Sequence, residues 1–154
     1  MYLIEAVSEK DYIEYQISLI RKHISNLLAT NDERDVKLLE KDLTKRFDEL
    51  QSLYKRYQRF LAAVEKAKAS INIQFDDATL TLGEAISFRD SLVKKLEDVT
   101  YIYDEALKQS GKHLVIDIET LFDLINDLRL DIKTLDYKIQ QAYWNTDISG
   151  GDKS

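Results

Sequence analysis

The pattern that most limits what this chain can fold into is a repeat of apolar residues at alternating steps of three and four. The four stretches that carry it, called seams below, consist of Leu3, Ala6, Lys10, Ile13, Ile17, Ile20, Ile24 and Leu27; Val36, Leu39, Leu43, Phe47, Leu50, Tyr54, Tyr57, Leu61 and Val64; Leu82, Ala85, Arg89, Leu92, Leu96, Val99, Tyr103 and Ala106; and Ile118, Leu121, Ile125, Leu128, Ile132, Leu135, Ile139 and Ala142. This spacing places the side chains on one face of a helix, where neighbouring helices bury them. The sequence therefore predicts a mainly α fold, an antiparallel helical bundle or coiled coil of about four helices.

Helix boundaries must come from polar residues and glycine, because the chain contains no proline. The Thr-Asn-Asp run at 30–32 favours a break that joins the first two helices as a hairpin. Thr81 and Glu84 have the spacing of a capping box, which predicts that the third helix begins there. The Ser-Gly pair at 110–111 favours its end, and Asp117 is a candidate cap for the fourth helix.

Two short segments have a β-like pattern. In Ile71–Phe75 apolar residues alternate with Asn72 and Gln74, which is the period of a strand, and the two aspartates at 76–77 favour a turn. His113–Ile116 is a second short β-like run. Because each run lies between two helices, we expect them to pair as a small two-stranded ribbon at one end of the bundle, packed on the helices.

The charge of the chain disfavours polyanionic partners. It has 28 acidic and 22 basic residues and a formal net charge of -6. Such a charge repels the phosphates of nucleic acid and anionic lipid, so we expect neither DNA nor a membrane as a partner. No stretch approaches the roughly 20 apolar residues that a membrane helix requires.

The length of 154 residues fits one domain, which we place at residues 1–148, with a Gly- and charge-rich disordered tail at 149–154. The chain contains no cysteine and therefore has no disulfide framework and no thiolate ligand. Residues 1–12 lack the cationic segment and apolar run of a secretory signal, so a cytoplasmic protein is the expectation.

Three parts of the chain together resemble a known family. They are Leu3, Glu5 and Ala6; Ile71, Asn72, Leu80, Thr81, Glu84, Ala85, Arg89, Asp90 and Leu92; and Leu135, Asp136, Ile139, Gln140 and Trp144. The chain resembles the septicolysin-like family of small bacterial and phage coiled-coil proteins over nearly its whole length, although Gly83 interrupts the usual spacing of the central element. This resemblance implies a helical, self-associating protein, and the family name implies a pore-forming cytolysin.

Arg89 is the first candidate for a functional residue, because a guanidinium in a seam position costs several kcal/mol if it stays unpaired away from water. In one interpretation it is structural: it pairs with a carboxylate of the fourth helix or near Asp90, or it extends to the bundle edge. In the other it faces a cavity near Asn72 and binds a phosphate or carboxylate bidentately.

Aromatic residues mixed with cations mark two further candidate positions. The segment Tyr54–Phe60 interleaves aromatic rings with Lys55, Arg56 and Arg59, a mixture that can stack bases and bind phosphates. On a helix these residues cannot share one face, so an aromatic core with solvated cations is the alternative. Tyr143 and Trp144 are either an apolar plug at a helix end or anchors of a pocket or subunit interface.

The fourth helix carries a row of carboxylates off its seam, formed by Glu119, Asp123, Asp127 and Asp131. A solvated face is the simpler interpretation, and a row of metal ligands is the alternative. Carboxylate-bridged metal sites in bundles add a histidine three residues after a glutamate, and neither His23 nor His113 has one at that position. No catalytic triad or phosphate loop stands out, so we expect neither an enzyme nor a cofactor.

Three classes of function agree with these features. The first is a non-enzymatic homo-oligomer that holds a small, nucleotide-like ligand; because the resemblance includes phage proteins, one version sequesters a nucleotide immune signal of the host. The second is a structural coiled-coil adaptor without a ligand. The third is the membrane-active cytolysin of the family name, against which the acidic charge argues. The candidate ligand-binding residues are Arg89, Asn72, Asp90, Arg59, Tyr143 and Trp144.

Overall fold

A computed structural model describes residues 1–29, 36–109 and 117–149. The described residues form four helices and two strands: α1 (Leu3–Ala29), α2 (Val36–Ser70), β1 (Asn72–Phe75), β2 (Ala78–Thr81), α3 (Leu82–Lys108) and α4 (Ile118–Asn145). The prediction of a mainly α fold with four helices and a small ribbon is confirmed. The predicted breaks at 30–32 and 110–111 lie outside the described residues, as does most of the predicted tail.

The ribbon differs from the prediction in its second strand. β1 pairs antiparallel with β2, so that Asn72 lies opposite Thr81 and Phe75 lies opposite Ala78. The expected pairing with His113–Ile116 is therefore wrong for β1, and that run itself lies outside the described residues. A two-residue turn brings neighbouring strands together at a small entropic cost, and Asp76 adopts the left-handed conformation, φ 48, that aspartate tolerates in turns.

The chain divides into two compact units, and the single domain expected at residues 1–148 stays a prediction. The first unit contains α1, α2 as far as Ala67, and the segment from Thr146 onward. Backbone hydrogen bonds connect its ends: Leu3 N–H donates to Thr146 O at 2.8 Å, and Ile148 N–H donates to Met1 O at 2.9 Å. Its buried residues are Leu3, Ala6, Ile13, Ile17, Ile24, Val64 and Ala67.

The second unit, Lys68–Asn145, contains the β hairpin, α3 and α4. The predicted capping box begins α3: Glu84 N–H donates to Thr81 Oγ1 at 3.2 Å, and Thr81 N–H donates to the Glu84 carboxylate at 2.7 Å. Asp117 caps α4 as predicted, because its carboxylate accepts from Glu119 N–H at 3.2 Å. Four seam residues of α3 and five of α4 are buried, together with Ile73 and Phe75 of β1.

Two contacts show the relative direction of α3 and α4. Arg89, early in α3, donates a hydrogen bond to Asp136, in the second half of α4. Tyr103, late in α3, packs against Phe122, early in α4, with their ring centroids 6.2 Å apart. The two helices are therefore antiparallel, as expected. None of the described helices has an apolar stretch of the length that crossing a membrane requires.

Candidate functional site

Arg89 is held between two carboxylates. Its Nε donates to Asp90 Oδ1 and its Nη1 donates to Asp136 Oδ1, each at 2.8 Å. Asp90 follows Arg89 on α3, whereas Asp136 projects from α4, so the guanidinium joins the two helices. This is the ion pair with a fourth-helix carboxylate that the structural interpretation of Arg89 expects. A ligand-binding role for Arg89 stays a prediction.

The electrostatics of this cluster favour a charged arginine and disfavour an added anion. The hydrogen bond to Asp136 raises the pKa of Arg89 above its ordinary value; partial burial opposes this increase, and the negative charge of Asp90 adds to it. One cation and two carboxylates give the cluster a net charge of about -1. A phosphate would have to displace one of the carboxylates or bind the remaining guanidinium N–H groups beside them.

The surroundings of Arg89 connect the β hairpin to both helices. Phe75 of β1 packs edge-on against Phe88 of α3, with ring centroids 5.8 Å apart. The Lys138 ammonium group of α4 donates to the backbone oxygen of Gln74. These contacts and the Arg89 ion pairs hold α3, α4 and the hairpin together, so their role is to fix the geometry of the second unit.

The six predicted ligand-binding residues do not form one described cluster. Arg89 and Asp90 are in direct contact. Asn72 is exposed on β1, Tyr143 is half-buried and Trp144 is 64% exposed near the end of α4. In the described part of the second unit, no hydrogen bond connects these three residues to Arg89. Arg59 is an exposed residue of α2 in the first unit.

Sequence reasoning assigned no role to Asp136 and Lys138, the two α4 residues that contact Arg89 and β1. The signal for Asp136 was present, because in an antiparallel pair of helices a seam arginine early in α3 faces the carboxyl-terminal half of α4. The row formed by Glu119, Asp123, Asp127 and Asp131 lies on the surface side of α4. Among the residues that the structure describes, no group of three or more metal-ligating side chains is placed to bind an ion.

The seam of α2 is buried to a smaller extent than the seams of the other three described helices. All 35 residues of α2 are described, and two of them, Val64 and Ala67, are buried. By contrast, α1 and α4 each bury five residues and α3 buries four. The seam of α2 before Val64 therefore has no cover that buries it within the described chain.

We call the exposed part of this seam the α2 face. It consists of Val36, Leu39, Leu43, Phe47, Leu50, Tyr54, Tyr57 and Leu61. None of its members is buried, and Val36 is 72%, Phe47 48% and Tyr54 46% exposed. A shallow groove of about 480 Å³ runs beside Val36, Leu43 and Phe47. An apolar strip of this length, about 39 Å for 26 residues, is typical of a helix that pairs with another helix.

The contact between α1 and α2 reaches one edge of the α2 face. Arg56 of α2 lies 3.8 Å from the Glu9 carboxylate of α1. Arg56 follows Tyr54 by two residues, which places the two side chains about 160° apart around the helix axis. Tyr57 lies one residue further along and is close to Lys10 of α1, whose pKa is raised by a hydrogen bond to Asp11 and, to a smaller extent, by Tyr57. The α1 helix therefore covers the Tyr57 edge of the α2 face, and Val36, Phe47 and Tyr54 are left exposed.

Comparisons with known proteins place the chain in a family without indicating an activity. The model of the family of unknown function DUF6847 matches residues 20–148, which includes α2, the β hairpin, α3 and α4. Searches among curated proteins and among solved structures return no match. The family match does not bear on the resemblance to septicolysin-like proteins, which stays a prediction. The chain belongs to the family of unknown function DUF6847.

Proposed function

We propose that the protein is a non-enzymatic, self-associating helical module, a coiled-coil adaptor that binds through its α2 face. The observation that carries the proposal is the exposure of Val36, Phe47 and Tyr54 in a seam that keeps its helical period over residues 36–61. A large side chain contributes roughly 1.5–3 kcal/mol when it is fully buried, so covering these residues favours association.

Further exposed apolar residues support an interface rather than a solvated surface. Leu19 is 48%, Val93 36% and Phe122 47% exposed, and all three lie off the seams. Single exposed apolar residues are common, but a continuous strip such as the α2 face marks an interaction surface. Together these residues support the expectation of a homo-oligomer.

The Arg89 cluster supports an adaptor more than a ligand-holding protein. Both carboxylates that pair with Arg89 belong to the same unit, so the guanidinium needs no external anion to offset its burial. In this proposal Arg89 keeps α3 and α4 in register, and association takes place on α2. A nucleotide-like ligand at Arg89 is a separate prediction with its own test.

Sedimentation equilibrium across the micromolar range tests the proposal. We expect a mass that is a multiple of 18.0 kDa. Phe47→Asp should shift the protein to the monomer while the circular dichroism of the helices is retained, because the new charge would be desolvated only in the complex. A strictly monomeric unmodified protein would remove the proposal.

Lys41→Asp is the matched control for this experiment. It places the same side chain on the same helix, but six residues from Phe47 and about 120° around the axis, off the α2 face. We expect this variant to associate like the unmodified protein. Equal weakening by both variants would attribute the effect to net charge instead of the face.

A further inference from the structure

The side of α2 that faces away from the α2 face carries six cations in one narrow row. Because an α-helix has 3.6 residues per turn, they lie within about 80° around the axis and extend about 44 Å along it. All six side chains are exposed. We call this row the cationic stripe; it consists of Lys37, Lys41, Lys45, Lys55, Arg59 and Lys66.

The cations of the stripe are not neutralised by ion pairs. Among the residues that the structure describes, none of the six pairs with a carboxylate, whereas Arg56 of the same helix lies 3.8 Å from Glu9. Asp48 is the one carboxylate within the stripe, and Glu40 and Glu49 lie on its two flanks. The stripe is therefore a surface of net positive charge that faces solvent.

The stripe concentrates this charge on a chain that is acidic overall. The six cations and Asp48 together carry +5, whereas the rest of the chain carries -11. Salt screens charges beyond about 8 Å at physiological ionic strength, so an anion at the stripe is governed by the stripe and its flanks. The net charge of the whole chain, from which we expect no DNA partner, averages over this separation.

The spacing of the stripe fits two rows of phosphates. Its cations form one group from Lys37 to Lys45 and a second group from Lys55 to Lys66, and about 15 Å along the axis separates the two groups. The major groove of duplex DNA is about 12 Å wide and has a phosphate strand on each side. A helix across this groove rests one group on each strand and holds Asp48, between the groups, over the groove and away from the phosphates.

Other polyanionic surfaces fit the stripe less well. A single nucleic-acid strand is bound by cations together with aromatic rings that stack its bases, and the stripe contains no aromatic residue. A helix that binds a lipid surface inserts its apolar side, but the centre of the stripe lies about 150° around the axis from that of the α2 face. An acidic helix presents a continuous row of carboxylates, which Asp48 in the middle of the stripe would repel.

We propose that the cationic stripe binds the phosphate backbone of duplex DNA, with one group of cations on each strand. Contacts to phosphates position a protein without reading the base sequence, and they weaken steeply with salt. The binding is therefore independent of base sequence and dependent on salt. Because the stripe and the α2 face lie on different sides of the helix, this binding does not require self-association.

Fluorescence anisotropy of a labelled DNA duplex, titrated with the full chain, tests the proposal. A duplex of about 20 base pairs is longer than the stripe, since each base pair adds about 3.4 Å. At about 50 mM salt we expect a dissociation constant of about 1 μM. Doubling the salt should weaken binding about fortyfold, because contacts to six phosphates release about five counterions. A second duplex of unrelated base sequence should bind equally.

A pair of variants assigns the binding to the stripe. Lys41→Gln/Arg59→Gln removes one cation from each group, so it should weaken binding more than tenfold and reduce the counterion release by about two. Lys94→Gln/Lys95→Gln is the matched control, because it removes the same charge from two exposed lysines of α3. We expect the control to bind like the unmodified protein.

A further variant keeps the test decisive if circular dichroism shows that the first stripe variant does not fold. Lys37→Gln/Lys55→Gln also removes one cation from each group and should weaken binding to the same extent. The absence of duplex binding at about 50 mM salt, or equal weakening by stripe and control variants, would overturn the proposal. Tighter binding to a single strand of the same length, to polyglutamate or to phosphatidylserine vesicles would overturn it in favour of that partner.

Discussion

The amino-terminal part of α2 and the α3–α4 hairpin carry the same kind of apolar repeat, but they bury it to different extents. Leu92, Leu128 and Leu135 are buried in the hairpin. No residue of the α2 face is buried. An apolar seam therefore indicates that a helix face will be covered, but it does not indicate whether the cover comes from the same chain.

The charged residues near the two seams differ in the same way. Arg89 reaches across from α3 to Asp136 of α4 at 2.8 Å, whereas Arg46 of α2 bonds to Glu49 of its own helix at 2.7 Å. The first ion pair joins two helices, and the second joins neighbouring turns of one helix. Within α2, Arg56 reaches another helix, at 3.8 Å from Glu9 of α1, and it lies about 160° around the axis from Tyr54.

The largest effect should come from placing a charge in the buried seam of the hairpin. Leu128→Asp puts an unpaired carboxylate at a site that is 3% exposed, and we expect it to abolish cooperative unfolding of the second unit, at a cost above about 4 kcal/mol. Leu130→Asp is the matched control, since Leu130 is 63% exposed and the change should cost less than about 0.5 kcal/mol. Similar melting curves for the two variants would contradict the contrast between buried and exposed faces.

Hydrogen exchange compares the two regions in one measurement. If a second copy covers the α2 face, the amides of residues 36–61 should exchange more slowly as protein concentration rises, about tenfold for each 1.4 kcal/mol of added stability. Amides of α3 around Leu92 should keep the same rates, because their cover belongs to the chain. A uniform slowing of both regions, or no change in either, would contradict this assignment.

A smaller effect is expected from Arg89→Met. The two carboxylates that it leaves are partly exposed and can be solvated, so the free energy of unfolding should change by no more than about 1 kcal/mol. Calorimetry of unmodified protein against cyclic dinucleotides and ADP-ribose derivatives tests the alternative role. Binding that Arg89→Met reduces roughly ten- to hundredfold, with the fold intact, would make Arg89 a ligand site after all.

The sequence alone predicts those parts of the fold that depend on residues close together in the chain. The seam periods and the Thr81–Glu84 capping box predict the helices and the start of α3, because both depend on residues within a few turns. Sequence analysis did not predict β2 as the partner of β1, because β2 ends at Thr81, the cap residue of α3, and its residues look like the segment that precedes a helix. A strand of four residues has too few positions for its period to stand out.

The candidate site was less accessible to sequence reasoning. Arg89 could be identified as a charge in a seam, but its partner Asp136 is 47 residues away and is identified only by the register of two helices. The exposure of Phe47 and Tyr54 has no sequence signal, because an apolar repeat has the same form whether its cover lies in the same chain or in another.

The smallest effect concerns the connected ends of the first unit. Hydrogen bonds from the hydroxyl and backbone N–H of Ser149, together with one from the Met1 amino group, lower the pKa of Asp147 from 3.8 to about 2. A carboxyl with a lowered pKa stabilises the folded state above pH 3.8, and this contribution is lost as the pH falls from about 4 to about 2. Asp147→Asn should therefore lower the melting temperature slightly at pH 7 and leave it equal to that of the unmodified protein near pH 2.

Asp123→Asn, at an exposed residue of α4, is the control and should change little at either pH. A difference between Asp147→Asn and the unmodified protein that persists near pH 2 would mean that Asp147 acts through its shape and hydrogen bonds instead of its charge.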